Sequence, residues 1–330
     1  MTDALTPQNE ESGVPASRPD VSERDSGEPA IPPSFVERHN ISPVAFAVLS
    51  LIGIFVLYQV GGGVLAFLAV GGGGLSSSNA DLMRWLTLAG QTAFILIPTL
   101  LLGKMFSRSL ADVFPFRLPS IAEIVLAIVG LLSLQRIFEV YSYLQKQIPM
   151  PQRLEELFEP VRKLIEQMLK ALIHADTVPQ LLVVVFIVAV APAFIEELMF
   201  RGLIQSAFQR SMPPVHAAVW CGVIFGFFHV NPFDVIPLMG LGVFLSFLRF
   251  RSMSLWIPIL VHLVNNALAV VAEYLRIDDN AMLSPIGPMS PTIAGLAIQT
   301  LFFGGLFVWC MTAYLRVTRR GQDQTEAVDS

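Results

Sequence analysis

Apolar residues crowd into eight stretches of this chain, at residues 44–70, 86–103, 121–134, 181–207, 215–230, 235–248, 255–272 and 293–315, with polar connections between them. A helix needs about 20 apolar residues to cross a bilayer, with ~17–25 the usual range. Residues 121–134 and 235–248 fall short of that length. Strand-like alternation over ten-residue segments does not occur, so the pattern predicts an all-α, polytopic transmembrane helix bundle of about eight spans. Glycines at 61–63 and 71–74 bracket the end of the first span. No Lys-Ser/Thr pair follows them, so they read as a flexible exit and not as a phosphate loop.

One segment has a different pattern. Between the third and fourth spans, Leu154, Leu157, Phe158, Val161, Leu164, Ile165, Met168 and Leu172 recur at helical spacing. Arg153, Glu155, Glu156, Glu159, Arg162, Lys163, Glu166 and Lys170 fill the opposite face. The spacing predicts an amphipathic helix over 152–173, too polar to span and suited to the membrane interface or to the protein's own surface. A lid over a substrate entrance is a third role for it. Residues 1–40 carry no aromatic before Phe35 and are rich in Pro, Ser, Asp and Glu, which predicts a disordered acidic tail. No cleavable signal peptide is expected before Ser42. The membrane domain is then 43–316, with a short polar tail at 317–330.

Composition agrees with this reading. The 330 residues are 54% hydrophobic and 14% charged, with mean hydropathy +0.62, where a soluble domain carries about 25% charge. Cys221 and Cys310 each lie in an apolar run, so no disulfide framework is expected. A pI of about 5.6 and the lack of a basic stripe exclude a nucleic-acid partner. With eight spans, Lys and Arg in the short connections fall mainly on the side of the two termini, which predicts both termini to be cytoplasmic.

Against this background three polar clusters stand out. The first is Glu196-Glu197-x-x-x-Arg201, directly after an apolar run. Ionisable groups at bilayer depth are costly and therefore functional candidates. Glu197 and Arg201, four apart, share a helix face with the acid N-terminal, the favoured order for a pair. Glu196 points roughly 140° away from Arg201, at about 100° per residue. A desolvated carboxylate without a local cation holds a proton more readily than one in water, which suits a general base. The second cluster is Phe225-x-x-x-His229 and the third His262-x-x-x-Asn266. Asn265 lies about 100° round the helix from Asn266 and is expected to stay outside the site.

The clusters also share a depth. If the fourth and fifth spans turn near Ser211, Glu196 is about 22 Å and His229 about 27 Å from the turn, at ~1.5 Å per residue. Counted from Ser252, His262 and Asn266 lie roughly 15 and 21 Å in. A carboxylate, two imidazoles and an amide at one level suggest hydrolysis. No His-Glu-x-x-His helix, Gly-x-Ser-x-Gly elbow or Gly-x-Gly-Asp signature is present. Water activated by Glu196 and His229, with His262 and Asn266 on the oxyanion, remains. A zinc held by Glu196, His229 and His262 has suitable ligand types but not the usual spacing.

The ordered motifs Glu196-Glu197-x-x-x-Arg201, Phe225-x-x-x-His229 and His262-x-x-x-Asn266 resemble the CAAX-type intramembrane endopeptidases. That family includes the type II CAAX prenyl proteases and the bacterial Abi, or CPBP, bacteriocin-processing proteins. The resemblance covers residues 181–272. It implies a glutamic protease without cofactor or required metal, with Glu196 as base and Glu197 as partner of Arg201. It further implies membrane lipid as surroundings and a peptide or prenylated protein as substrate. Phe225, with Phe227 and Phe228, is a candidate lining of the substrate cavity or lipid-facing filler. The competing classes are a non-enzymatic scaffold or immunity factor and a transporter using Glu196 as a proton relay. For the transporter, no internal repeat is visible.

Overall fold

The structure is a computed structural model that describes residues 33–70, 79–149, 151–276 and 292–329. Residues 1–32 of the expected tail and the second glycine run, 71–74, lie outside it. Among the described residues seven helices are long and apolar enough to cross a membrane. They are α1 (Pro43–Leu65), α2 (Ala80–Phe106), α3 (Ile121–Gln147), α5 (Val178–Gln209), α7 (Val235–Ser252), α8 (Trp256–Tyr274) and the apolar part of α9 (Ile293–Asp329). The fifth apolar stretch, 215–230, forms α6 (Pro214–Phe228), apolar but shorter. The chain is an all-α, multi-pass integral membrane protein. The one β-type pairing among the described residues is an isolated bridge between Phe116 and Ser254.

Several boundaries differ from the expectation. α3 runs 27 residues, well past Leu134. The pattern breaks there at Gln135-Arg136, but Arg136 pairs with Glu139 three residues on at 3.0 Å, so the charges neutralise within the helix. Gly61 and Gly62 are not an exit from helix. The backbone continues through them as a π-helical stretch, Leu57–Gly62, and on to Val70. Gly61 packs its bare Cα near the Phe94 ring, where a Cβ would lie 3.7 Å from it. Residues 34–38, inside the expected tail, form one turn of helix. Ser34 and Glu37 make a reciprocal capping box, and Val36 is buried. At the other end α9 continues to Asp329 through the stretch expected to be a polar tail.

The predicted amphipathic helix is α4 (Gln152–Ile173), which buries no residue. Its C-terminal carbonyls are held by Arg84 of α2, almost wholly buried, which donates to the oxygens of Ala171, Leu172 and His174. Its middle touches the α6–α7 turn, where Phe158 meets Phe233 edge-on.

The two larger apolar cores share α8. Leu255 and Ile259 belong to one, with residues of α1, α2, α5 and α6. Ile257 and Val261 belong to the other, with α3, α7 and α9. The most extensive pairing is α6 with α7. Gly222 and Gly242 make it possible, since a Cβ on Gly242 would stand 2.5 Å from the Gly222 carbonyl oxygen. Small residues that let backbones touch are the usual device for packing helices in lipid.

Candidate active site

The centre of the site is α5, which departs twice from α geometry. Phe186–Val190 and Leu198–Ile204 are π-helical, and Glu196 and Glu197 end the α segment between them. Such π segments are local insertions that often mark functional sites. Pro192 contributes to the first: it has no N–H, so the Val188 carbonyl lacks its ordinary donor four residues on.

Glu197 and Arg201 meet as the i,i+4 spacing predicts. Arg201 Nη1 donates to Glu197 Oε1 at 2.8 Å, and both side chains are 0% exposed. Arg201 Nη2 donates to the Gly242 carbonyl at 2.8 Å, and one turn on Gln205 donates to the Ser246 carbonyl. The pair thus also ties α5 to α7. A third member joins from α8. His262 Nδ1 lies 2.8 Å from the same Glu197 Oε1. A carboxylate accepts, so Nδ1 carries the proton and only Nε2 is left for other work. The sequence placed His262 on the oxyanion, with no link between it and Glu197.

Glu196 stands apart, 14% exposed at its side chain, and reaches α6 instead. His229 Nδ1 lies 2.8 Å from the Phe225 carbonyl oxygen. A carbonyl can only accept, so this nitrogen carries the proton and Nε2 presents its lone pair to Glu196 Oε2 at 3.7 Å. That separation is too long for a direct hydrogen bond. Gln59 of α1 donates to the Phe228 carbonyl beside His229, fixing the end of α6. Tyr58, next along α1, lies close enough to Glu196 to feel its charge. It also walls a cavity of about 160 Å³ between α1 and α2, with Gln59, Gly62, Met83, Leu86 and Gly90.

Asn266 makes no hydrogen bond to these groups. Its Nδ2 donates to the Val188 carbonyl at 3.4 Å, and its Oδ1 accepts from Asn265 at 3.1 Å. Asn265 in turn accepts from Gln135 of α3 at 3.0 Å. Asn265 is therefore not outside the site as its helical angle suggested, because neighbouring amides on one helix can bridge round it.

Phe225 is packed inside the site. Its ring is fully buried under the Arg201 guanidinium, 4.5 Å away, and against the rings of Phe200, His229 and His262. A cation over an aromatic face is a favourable seat, so this ring spaces the charged groups. Phe227 points outward and Phe228 packs on Phe55 and Phe200. The zinc arrangement does not fit: among the described residues no three His, Cys, Asp or Glu side chains converge on one point.

The reading from sequence overlooked Gln135 and the Val188 carbonyl. An amide just past an apolar run and a proline inside one were their signals.

Residues 178–268 match the family model described as Rce1-like, type II CAAX prenyl endopeptidase. A protein of Bacillus subtilis (strain 168), "Putative membrane peptidase YdiL", is 24% identical over 98 residues, 30% of this chain and 40% of that protein. The chain thus spans well under half of that relative's length. No solved structure matches. The matched segment begins at the first residue of α5 and ends within α8, so it holds both carboxylates, both imidazoles and Asn266. Over these helices the chain is similar to the Rce1-like type II CAAX prenyl endopeptidases.

Proposed function

We propose that the chain is a membrane peptidase in which Glu196 activates water to hydrolyse a peptide bond. The observation that carries this reading is the facing of Glu196 and His229. The His229 tautomer is set by the Phe225 carbonyl, so its Nε2 and the carboxylate present two acceptors toward one spot, which suits a water donating to both. Glu196 takes one proton as the oxygen attacks the scissile carbonyl carbon. It then returns that proton to the departing amine. The tetrahedral oxyanion needs donors whose hydrogen bonds strengthen as charge develops. Asn266 is a donor in any protonation state. His262, with Nδ1 given to Glu197, donates through Nε2 only as imidazolium. Glu197 and Arg201 hold the frame. The family suggests a substrate near its C-terminus, prenylated or not. The membrane domain is 43–316, with both termini cytoplasmic.

The test is Glu196→Gln, which keeps size and loses the base. Cleavage of a peptide bearing a prenylated cysteine, and of the same peptide without the prenyl group, is measured in detergent per folded molecule. The expected loss with either cleaved peptide is about 10²–10⁴-fold, the usual weight of a general base. Turnover equal to wild type would overturn the assignment.

A further inference from the structure

An oxyanion donor built from an amide has a weakness. Its two ends are nearly the same shape, and a half-turn about the last bond replaces the N–H by an oxygen that repels the developing charge. Something must decide which end of Asn266 faces the site. On α8 alone nothing does, since Asn266 is only partly buried.

The answer lies in a one-way chain of amides that begins on α3. Gln135 Nε2 donates to Asn265 Oδ1 at 3.0 Å. Asn265 Nδ2 donates to Asn266 Oδ1 at 3.1 Å. Asn266 Nδ2 donates to the Val188 carbonyl at 3.4 Å. The last acceptor sets the direction of the whole chain. A backbone carbonyl has no proton to give, so Asn266 must turn its nitrogen toward Val188. Its oxygen is then the end that meets Asn265, which must donate, and Asn265's own oxygen is the end that meets Gln135. Reversing any one amide sets oxygen against oxygen or N–H against N–H. The Val188 carbonyl is open to this role because Pro192, four residues on, has no N–H. With its oxygen and one N–H engaged, Asn266 has one N–H left.

We infer that Gln135 and Asn265 are positioning residues of the reaction: they hold the Asn266 amide with its remaining N–H directed to the oxyanion. This rests on the peptidase reading above. It brings α3, which lies outside the matched segment 178–268, into the catalytic apparatus. An orienting group of this kind acts in the transition state and not in substrate binding, so its removal lowers kcat and leaves KM nearly unchanged.

The experiment is a double-mutant cycle on the full chain in detergent, with Gln135→Leu, Asn266→Ala and the two combined, reading kcat and KM on one peptide. Asn266→Ala is expected to lower kcat by about 10²–10³-fold, as for one oxyanion donor. Gln135→Leu is expected to lower it by about tenfold alone and to have no further effect once Asn266 is gone, the mark of two residues acting through one group. Gln135→Met keeps the side chain's length and has no hydrogen-bond donor, so it should behave as Leu does. It also supplies the cycle if the Leu variant folds poorly. An unchanged kcat in both position-135 variants, or the same loss with and without Asn266, overturns the inference. So does an Asn266→Ala variant with wild-type kcat. Glu196→Gln run alongside decides the peptidase reading independently: a dead Glu196→Gln with no coupling between positions 135 and 266 sinks only the relay.

Discussion

Glu197 carries two donors on one oxygen, the Arg201 guanidinium and the His262 imidazole, with no exposed surface on either charged side chain. Removing one partner from such a pair leaves a buried charge uncompensated, at about 3–5 kcal/mol. Arg201→Met is therefore expected to lower the midpoint of thermal unfolding in detergent steeply, whereas Glu196→Gln leaves it near wild type. The reverse order would mean that the structural and reactive carboxylates have been exchanged. Phe225→Ala is expected to resemble Arg201→Met in this measurement, since the ring supports that guanidinium. The division between Glu196 and Glu197 was legible from spacing alone, because helical facing is local. The attachment of His262 to Glu197 was not, because 65 residues separate them and only the packing of α8 on α5 brings them together. Asn265 was misread for a related reason: an angle on a helical wheel does not account for what a side chain's neighbour can reach.

Among the elements, the α6–α7 hairpin has the least tolerance. A Cβ on Gly222 would press into the backbone of Gly242 and Val243, which cannot yield as a side-chain tip can. Gly222→Ala is expected to cost about 1–3 kcal/mol, the usual range for overpacking, read as the unfolding midpoint. It also shifts His229 at the end of α6 relative to Glu196, so activity should fall further than stability. Gly53, with nothing within 4 Å of its would-be Cβ, is the control and should accept Ala without loss of either. All eight apolar stretches form helices, but the two that looked short, 121–134 and 235–248, extend to spanning length, whereas 215–230 gives the shorter α6. The length of α3 was obscured by a polar run whose charges pair within the helix. The π-helical segments of α5 had no legible pattern beyond Pro192.

Taken as a whole molecule, the basic residues of the short connections gather at one end, apart from those of α4. Arg210 stands at the α5–α6 turn, Arg249 and Arg251 at the end of α7, and Arg117 beside the α7–α8 turn, where it donates to the Ser252 carbonyl. The opposite end has the Asn231–Asp234 turn and α4. Single cysteines at Ser211 and Asn231, placed in a variant lacking Cys221 and Cys310, are expected to label from opposite sides of sealed vesicles, Ser211 from the cytoplasmic side. Labelling of both from one side would mean that α6 does not cross. One contact has a consequence in time. Arg84 takes its oxygen partners from the end of α4, Leu172 being 88 residues further along. At about 5–20 residues per second of synthesis, those oxygens arrive roughly 4–18 s after the guanidinium, and until then Asp81, three residues back, is the counter-charge at hand. Arg201, by contrast, follows Glu197 from the ribosome almost at once. Newborn α2 is thus without those three carbonyl partners until α4 is complete, and any delay in making residues 85–174 prolongs that interval.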